Sequence, residues 1–168
     1  MNAEKRILIA IDDSDASMRA VRYVTQYLGK QEGIHMHLFH ILHPVPPEFL
    51  EFIGSENPQE KERMEAKLRQ AKAEWLRKEE QAEGSVFSKA RAILHEAGVP
   101  DQRVQTEFCP SVNQQEVAVD ILDAAKSTRC NTIVVGRESF SGLQRLFHHH
   151  VADELVREGQ GFTIWVVE

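Results

Sequence analysis

The chain is expected to fold as α/β, a three-layer sandwich around a five-stranded parallel sheet, and three observations lead there. Short apolar runs rich in β-branched residues recur at Arg6–Ile11, Ile34–Leu42 and Asn131–Gly136. Between them lie stretches whose apolar residues return at helical spacing. The two kinds of segment alternate, which favours crossover connections and a parallel sheet over hairpins. Right-handed crossovers leave few topologies for five strands.

Taken in order, "RILIAI" (Arg6–Ile11) reads as a strand buried on both faces and ends in "DDSDAS". Ala20, Val21, Val24, Tyr27 and Leu28 then recur at helical spacing, and Gly29 is placed to stop that helix. "IHMHLFHIL" is the second strand, closed by Pro44, Pro46 and Pro47. From Pro44 to Pro58 the sequence reads as a loop. "QEKERMEAKLRQAKAEWLRKEEQ" follows, rich in strong helix formers with Glu and Lys at helical pair spacing. Met64, Leu68, Ala71, Trp75 and Leu76 are its expected buried stripe, and Gly84-Ser85 is an expected interruption before "VFSKARAILHEAGVP". "RVQTEF" is a third strand ending at Cys109-Pro110. Ser111 with Gln114 has the spacing of a capping box for a helix buried through Val117, Ala118, Ile121, Leu122 and Ala125. "NTIVVG" is the fourth strand, "ADELVREG" a short helix and "FTIWVVE" the last strand. Residues 1–168 are read as one domain, with an extended loop and long charged helix at about 44–82.

The bulk numbers remove several classes of function. With 42% hydrophobic and 27% charged residues, the chain has an ordinary globular composition. Its 20 basic and 26 acidic residues give a net charge of −6, which opposes non-specific nucleic-acid binding. No apolar window is long enough for a membrane span, and "MNAEKRILIAID" lacks a signal-peptide layout, so a cytoplasmic location is expected. Cys109 and Cys130 lack metal-ligand spacing and read as small buried side chains in a reducing compartment.

Ligands of open parallel sheets lie beyond the carboxyl ends of the strands, where strand order reverses. The groups there are Asp12-Asp13, His40 to His43, Cys109 and Gly136-Arg137. Ser139, Ser141 and Gly142 follow Gly136 and suit a backbone that presents N–H groups to an anion. The helix starting near Val151 offers its positive end to the same region. Asp13 and Asp15 read as helix-capping carboxylates, and Asp12 as a group for a ribose hydroxyl or a magnesium ion. His35 and His37 read as structural. His148, His149 and His150 are adjacent, so only His148 and His150 share a side if locally extended. With His43 or Asp12 they are the candidate metal ligands, although no HxxxH pair or Cys-His set accompanies them. The alternative is a polar loop over the pocket mouth.

"RILIAIDDSDASMRAVRYV", "HLFHI", "AILHEAGVP" and "NTIVVGRESFSGLQRLF" resemble, in that order, the successive blocks of the universal stress protein family. The resemblance covers nearly the whole chain apart from Pro44 to about Gln81. It implies a sheet of adenine-nucleotide α-hydrolase-like type and a homodimer formed through the last strand, here 162–168. It also implies a pocket at Ala10, Asp12, Ile41, Val135, Gly136, Ser139, Ser141, Gly142, His149, His150 and Val151, with His40 packing at the strand end. In ATP-binding members the loop after the fourth strand reads Gly, two residues, Gly, nine residues, Gly, then Ser or Thr. Gly136 matches the first position, whereas Ser139, His149 and His150 replace the other three. A side chain at a glycine position is disfavoured where φ must be positive or phosphate must touch the backbone. Glu138 adds negative charge to the loop, which Arg137 and Arg145 are placed to offset.

The expected function is that of a non-catalytic, dimeric protein of universal stress type in stress response or signalling. Its pocket departs from the ATP pattern, and it acts through a protein partner or small-molecule signal that the sequence does not name. No Ser/His/Asp arrangement, acid/base carboxylate pair or complete P-loop points to catalysis. The alternatives are an ATP- or AMP-dependent switch, with magnesium and slow hydrolysis assisted by Asp12 if ATP binds, and a metal sensor at His43, His148 and His150.

Overall fold

Each apolar run becomes a strand in the computed structural model, which describes residues 5–42, 45–50, 57–111, 116–137 and 150–168. The order is β1 (Lys5–Ala10), α1 (Asp15–Leu28), β2 (Ile34–Leu42), α2 (Pro58–Glu96), β3 (Val104–Pro110), α3 (Val117–Ser127), β4 (Thr132–Gly136), α4 (His150–Glu158) and β5 (Thr163–Val167). Single 3-10 turns stand at Pro47–Phe49 and Asp101–Arg103. All pairings are parallel, in the order β3-β2-β1-β4-β5. The five-stranded parallel α/β architecture expected from the sequence is therefore present.

Alternation along the strands divides the core into two layers. Ile7 and Ile9 of β1, with Ile11 just after it, join Met36, Leu38 and Val134 beneath α1 and α2. Leu8 and Ala10 point the other way and join Phe39, Ile133 and Val135 beneath α3 and α4. A strand buried on both faces has no room for polar alternation, which is why β1 reads as a continuous apolar run. The chain builds outward from β1 through β2 and β3, then returns to β1's other side for β4 and β5. Strand order thus reverses between β1 and β4, the position at whose carboxyl ends open parallel sheets hold their ligand crevice.

Three local expectations are corrected. α2 does not break at Gly84 but runs unbroken for 39 residues. Asn57 caps it by accepting from the Gln59 N–H at 3.1 Å, and docking of Val86, Phe87, Ala90 and Leu94 offsets the roughly 1 kcal/mol that an interior glycine costs. The expected stripe is not buried: Met64, Leu68, Trp75 and Leu76 are half-buried and Ala71 is exposed. The cap of α1 is Ser14, whose Oγ accepts from the Ser17 N–H at 3.2 Å, rather than Asp13 or Asp15. Asp15 sits in the first turn, and Asp13 instead meets Lys89 of α2. For the Ser111–Gln114 box, Gln114 lies outside the described residues; the Ser111 carbonyl accepts from the Val45 N–H at 2.9 Å. Among the described residues no helix is long and apolar enough to cross a membrane.

Gly136 is the tightest point between sheet and helix. A Cβ there would stand 2.3 Å from the Ala16 carbonyl oxygen and 2.8 Å from the Ser17 nitrogen. Both are backbone atoms at the start of α1, so neither can swing aside. Gly136→Ala is expected to cost about 3 kcal/mol through overpacking. In thermal unfolding that is a drop of roughly 6–12 °C for a chain of this size. Gly84→Ala, which meets nothing within 4 Å, is expected to raise stability by about 0.5–1 kcal/mol.

Candidate functional site

Asp12 follows β1 directly, and its position is set by the turn into α1. One carboxylate oxygen, Oδ1, accepts from the Ser17 hydroxyl at 2.6 Å, from the Ser14 N–H at 3.0 Å and from the Ser14 hydroxyl. The Asp12 N–H donates to Ser17 Oγ at 3.0 Å, closing the turn. Oδ2 takes no hydrogen bond among the described residues. Burial works against ionisation here, but the Ser14 and Ser17 bonds and the nearby His40 outweigh it and hold the Asp12 carboxyl below its ordinary value. The group is therefore an anchored carboxylate with one oxygen unbonded among the described residues, chemically able to accept from a hydroxyl or hold a cation.

His40 supports this turn from below the surface. Its Nδ1 lies 2.7 Å from the Ile11 carbonyl oxygen, which can only accept, so Nδ1 carries the proton. Nε2 faces the Glu83 carboxylate of α2 at 3.4 Å. The ring is enclosed by Phe87 and Phe108, both edge-on at centroid distances of 6.2 and 5.9 Å. The expectation that His40 packs at the strand end is met. His37 is also buried, with Nε2 at 2.8 Å from Glu107 of β3. Sequence reasoning missed both carboxylate partners, because each comes from a segment 43 or 70 residues away in the chain.

Ala10, Ile41, Val135 and Val151 come from four different elements and converge on the layer beneath α3 and α4. All four belong to one apolar layer of the core, in which Ala10 and Val135 are buried and Ile41 and Val151 half-buried. Gly136 stands at the strand-order reversal, although its contact with Ala16 and Ser17 already requires glycine there without any phosphate. That packing role had no signal in the sequence, since it depends on how closely β4 approaches α1. Arg137 is expected from the sequence to offset charge in the following loop, whose residues lie outside the described ones. It donates to Glu168 at 3.1 Å and to Asp153 at 3.3 Å, tying the end of β4 to α4 and the C-terminus.

Ser139, Ser141, Gly142, His148, His149 and His43 lie outside the described residues, as do Glu138 and Arg145. His150 is described only through its backbone, as the first residue of α4, so its backbone is helical rather than extended. Among the described residues no group of three or more His, Cys, Asp or Glu is arranged to hold a metal ion. The Ser14 and Ser17 hydroxyls donate to a carboxylate, not to an imidazole. Cys130 is buried. Cys109 at the end of β3 is half-buried, and burial followed by the charges of Asp120 and Glu107 pushes its thiol up to about 11.

Two outcomes follow from these environments. A carboxyl held low in the folded state contributes stability above its unfolded pKa of about 3.9 and loses it as pH falls through the lower folded value. Asp12→Asn is therefore expected to flatten the dependence of unfolding free energy on pH below about pH 4, measured by denaturant titration. Iodoacetamide labelling of Cys109 is expected to stay slow at neutral pH and to accelerate only toward the pKa of about 11.

The profile of the Universal stress protein family matches residues 4–160. No curated protein sequence matches the chain. Among solved structures, a universal stress family protein from Burkholderia pseudomallei is 15% identical with a TM-score of 0.55, over 99% of this chain and 98% of its own. A universal stress protein in complex with cAMP is 15% identical with a TM-score of 0.58, over 99% and 98% of the two chains. The universal stress protein of Archaeoglobus fulgidus in complex with dAMP is 18% identical with a TM-score of 0.52, over 100% of both. At these identities the likeness to those structures is one of fold, the five-stranded parallel α/β sheet. With the profile spanning nearly all of the sequence, the chain belongs to the universal stress protein family.

Proposed function

We propose that this protein is a non-catalytic sensor in stress response or signalling that recognises an adenine mononucleotide in preference to magnesium-bound ATP. The observation that carries this reading is the Asp12 carboxylate. It is held ionised by Ser14 and Ser17, keeps Oδ2 without a bond among the described residues, and lies at the strand-order reversal. A carboxylate so placed suits a ribose hydroxyl, and the shared apolar layer of Ala10, Ile41, Val135 and Val151 suits a flat apolar base. Two of the fold relatives are in complex with monophosphates, cAMP and dAMP. The triphosphate end is where the family signature is altered, at Ser139, His149 and His150. Catalysis has little support from the described groups, whose hydroxyls and imidazoles are turned toward carboxylates and a backbone carbonyl.

The same reading includes a homodimer formed through β5. Among the described residues this strand pairs only with β4, which leaves one edge of backbone donors and acceptors without a partner strand there. Beside it runs a groove of about 600 Å³ lined by Tyr23 and Ile164 to Glu168. Tyr23 lies 6.0 Å from Trp165 edge-on, with Tyr27 tilted against it at 4.6 Å. An aromatic cluster on an open edge favours association with a like surface.

Calorimetric titration tests the ligand. AMP is expected to bind at least tenfold tighter than ATP with magnesium, and Asp12→Ala is expected to weaken AMP by roughly 10- to 100-fold, the worth of a hydrogen bond to a charged group. No phosphate release from ATP is expected. Tighter binding of magnesium-bound ATP, or AMP binding indifferent to Asp12, contradicts the reading.

A further inference from the structure

The first part of α2 lies outside the blocks that carry the family resemblance, and its apolar residues do not extend the face by which the helix docks. Val86, Phe87, Ala90 and Leu94 are buried against the sheet. With about 100° of turn per residue, these four centre on one side of the helix, whereas Met64, Leu68, Ala71, Trp75 and Ala82 centre on a side turned by about 90°. Where the docking face would continue, Glu65, Lys72 and Glu83 stand with Leu76. The five apolar residues are spaced four, three, four and seven apart, the 3.5-residue period of a two-helix seam rather than the 3.6 of a helix lying on a sheet.

The direction of α2 removes this seam from the body of the fold. As a crossover between parallel strands, α2 runs antiparallel to them, and Glu83 already lies beside His40 near the end of β2. The segment before Glu83 therefore continues past the strand ends for about 37 Å at 1.5 Å per residue. No residue from Pro58 to Ser85 is fully buried; Met64, Leu68 and Trp75 are half-buried, and Ala71 and Ala82 are exposed. Phe49 meets Trp75 from one flank at 6.1 Å and leaves it half open.

The charges beside the seam identify its occupant. We propose that this segment pairs with the same segment of a second copy of the chain, antiparallel, about a two-fold axis between Arg69 and Gln70. In that register Met64 meets Trp75 of the second copy and Leu68 meets its Ala71, each contact made twice. The flanking positions nearest the axis are complementary, Glu65 facing Lys72 and Lys67 facing Glu74, again twice each, and the apolar contact ends where Lys61 meets Lys78 one layer farther out. Parallel, in-register pairing places Lys67 against Lys72, Glu74 against Glu79 and Glu60 against Glu65, so like charges oppose it at every flank. Lys67, Lys72 and Glu74 are exposed. Within the helix Glu65 makes only a long pair with Arg69 at 3.9 Å, and Glu74 accepts from Gln70 at 3.2 Å; exposed contacts of this kind exchange readily. The surface is separate from the β5 edge, so the two contacts are independent.

A mixture of unlabelled and isotope-labelled full-length protein, treated with a zero-length carbodiimide cross-linker, tests this directly by mass spectrometry. Links between copies are expected at Lys67–Glu74 and Glu65–Lys72. Lys67→Glu with Lys72→Glu is expected to abolish them and to lower the sedimentation mass. Adding Glu65→Lys and Glu74→Lys, which reverses all four charges, is expected to restore both. Absence of mixed-isotope links at these positions overturns the proposal, as does an assembly indifferent to the double reversal. An assembly whose cross-links all lie along β5 overturns it too and leaves the nucleotide reading untouched.

Discussion

The carboxyl end of β1 is held from three sides, and the strand ends around it take their shape from that restraint. His40 grips the Ile11 carbonyl at 2.7 Å from β2. Ser17 of α1 bonds both the Asp12 N–H and its carboxylate, at 3.0 and 2.6 Å. Gly136 lets β4 close onto the first turn of α1 with no side chain between them. Each contact belongs to a different element, so the turn cannot relax without moving a strand or a helix. Such overdetermined positions hold the Asp12 carboxylate in one geometry.

Much of this order was legible in the sequence. Strands buried on both faces read as continuous apolar runs, and Ile7 to Ile11 now divide alternately between the two core layers. The grouping of Ala10, Ile41, Val135 and Val151 followed from family resemblance, and the four positions do share one layer. The legible features are those set by local pattern or by a motif's fixed spacing.

What escaped depended on long-range approach. Gly136 reads as a phosphate-loop glycine, yet its clearance against Ala16 is a packing requirement that no linear pattern records. Glu83 sits within a charged helical stretch that looks like a solvated face and Glu107 within the third strand, and each meets a buried histidine of β2. The α2 stripe was misread for a related reason. Helical periodicity shows that Met64, Leu68 and Trp75 share a side, but whether a core lies under that side depends on how far the helix outruns the sheet. Ser14 caps α1 in place of its acidic neighbours because Asp12 is drawn back into the turn and Asp13 is paired across to Lys89.

The central claim is that the Asp12 turn and the β2 end form an adenosine site independent of a complete triphosphate loop. Amide chemical shifts of nitrogen-labelled protein, followed during titration with AMP, test it most directly. The expected result is saturable shifts at Ile11 to Ser14 and at Ile41, absent in Asp12→Ala. Shifts confined to other parts of the chain, or a response at these residues only to ATP with magnesium, would contradict it.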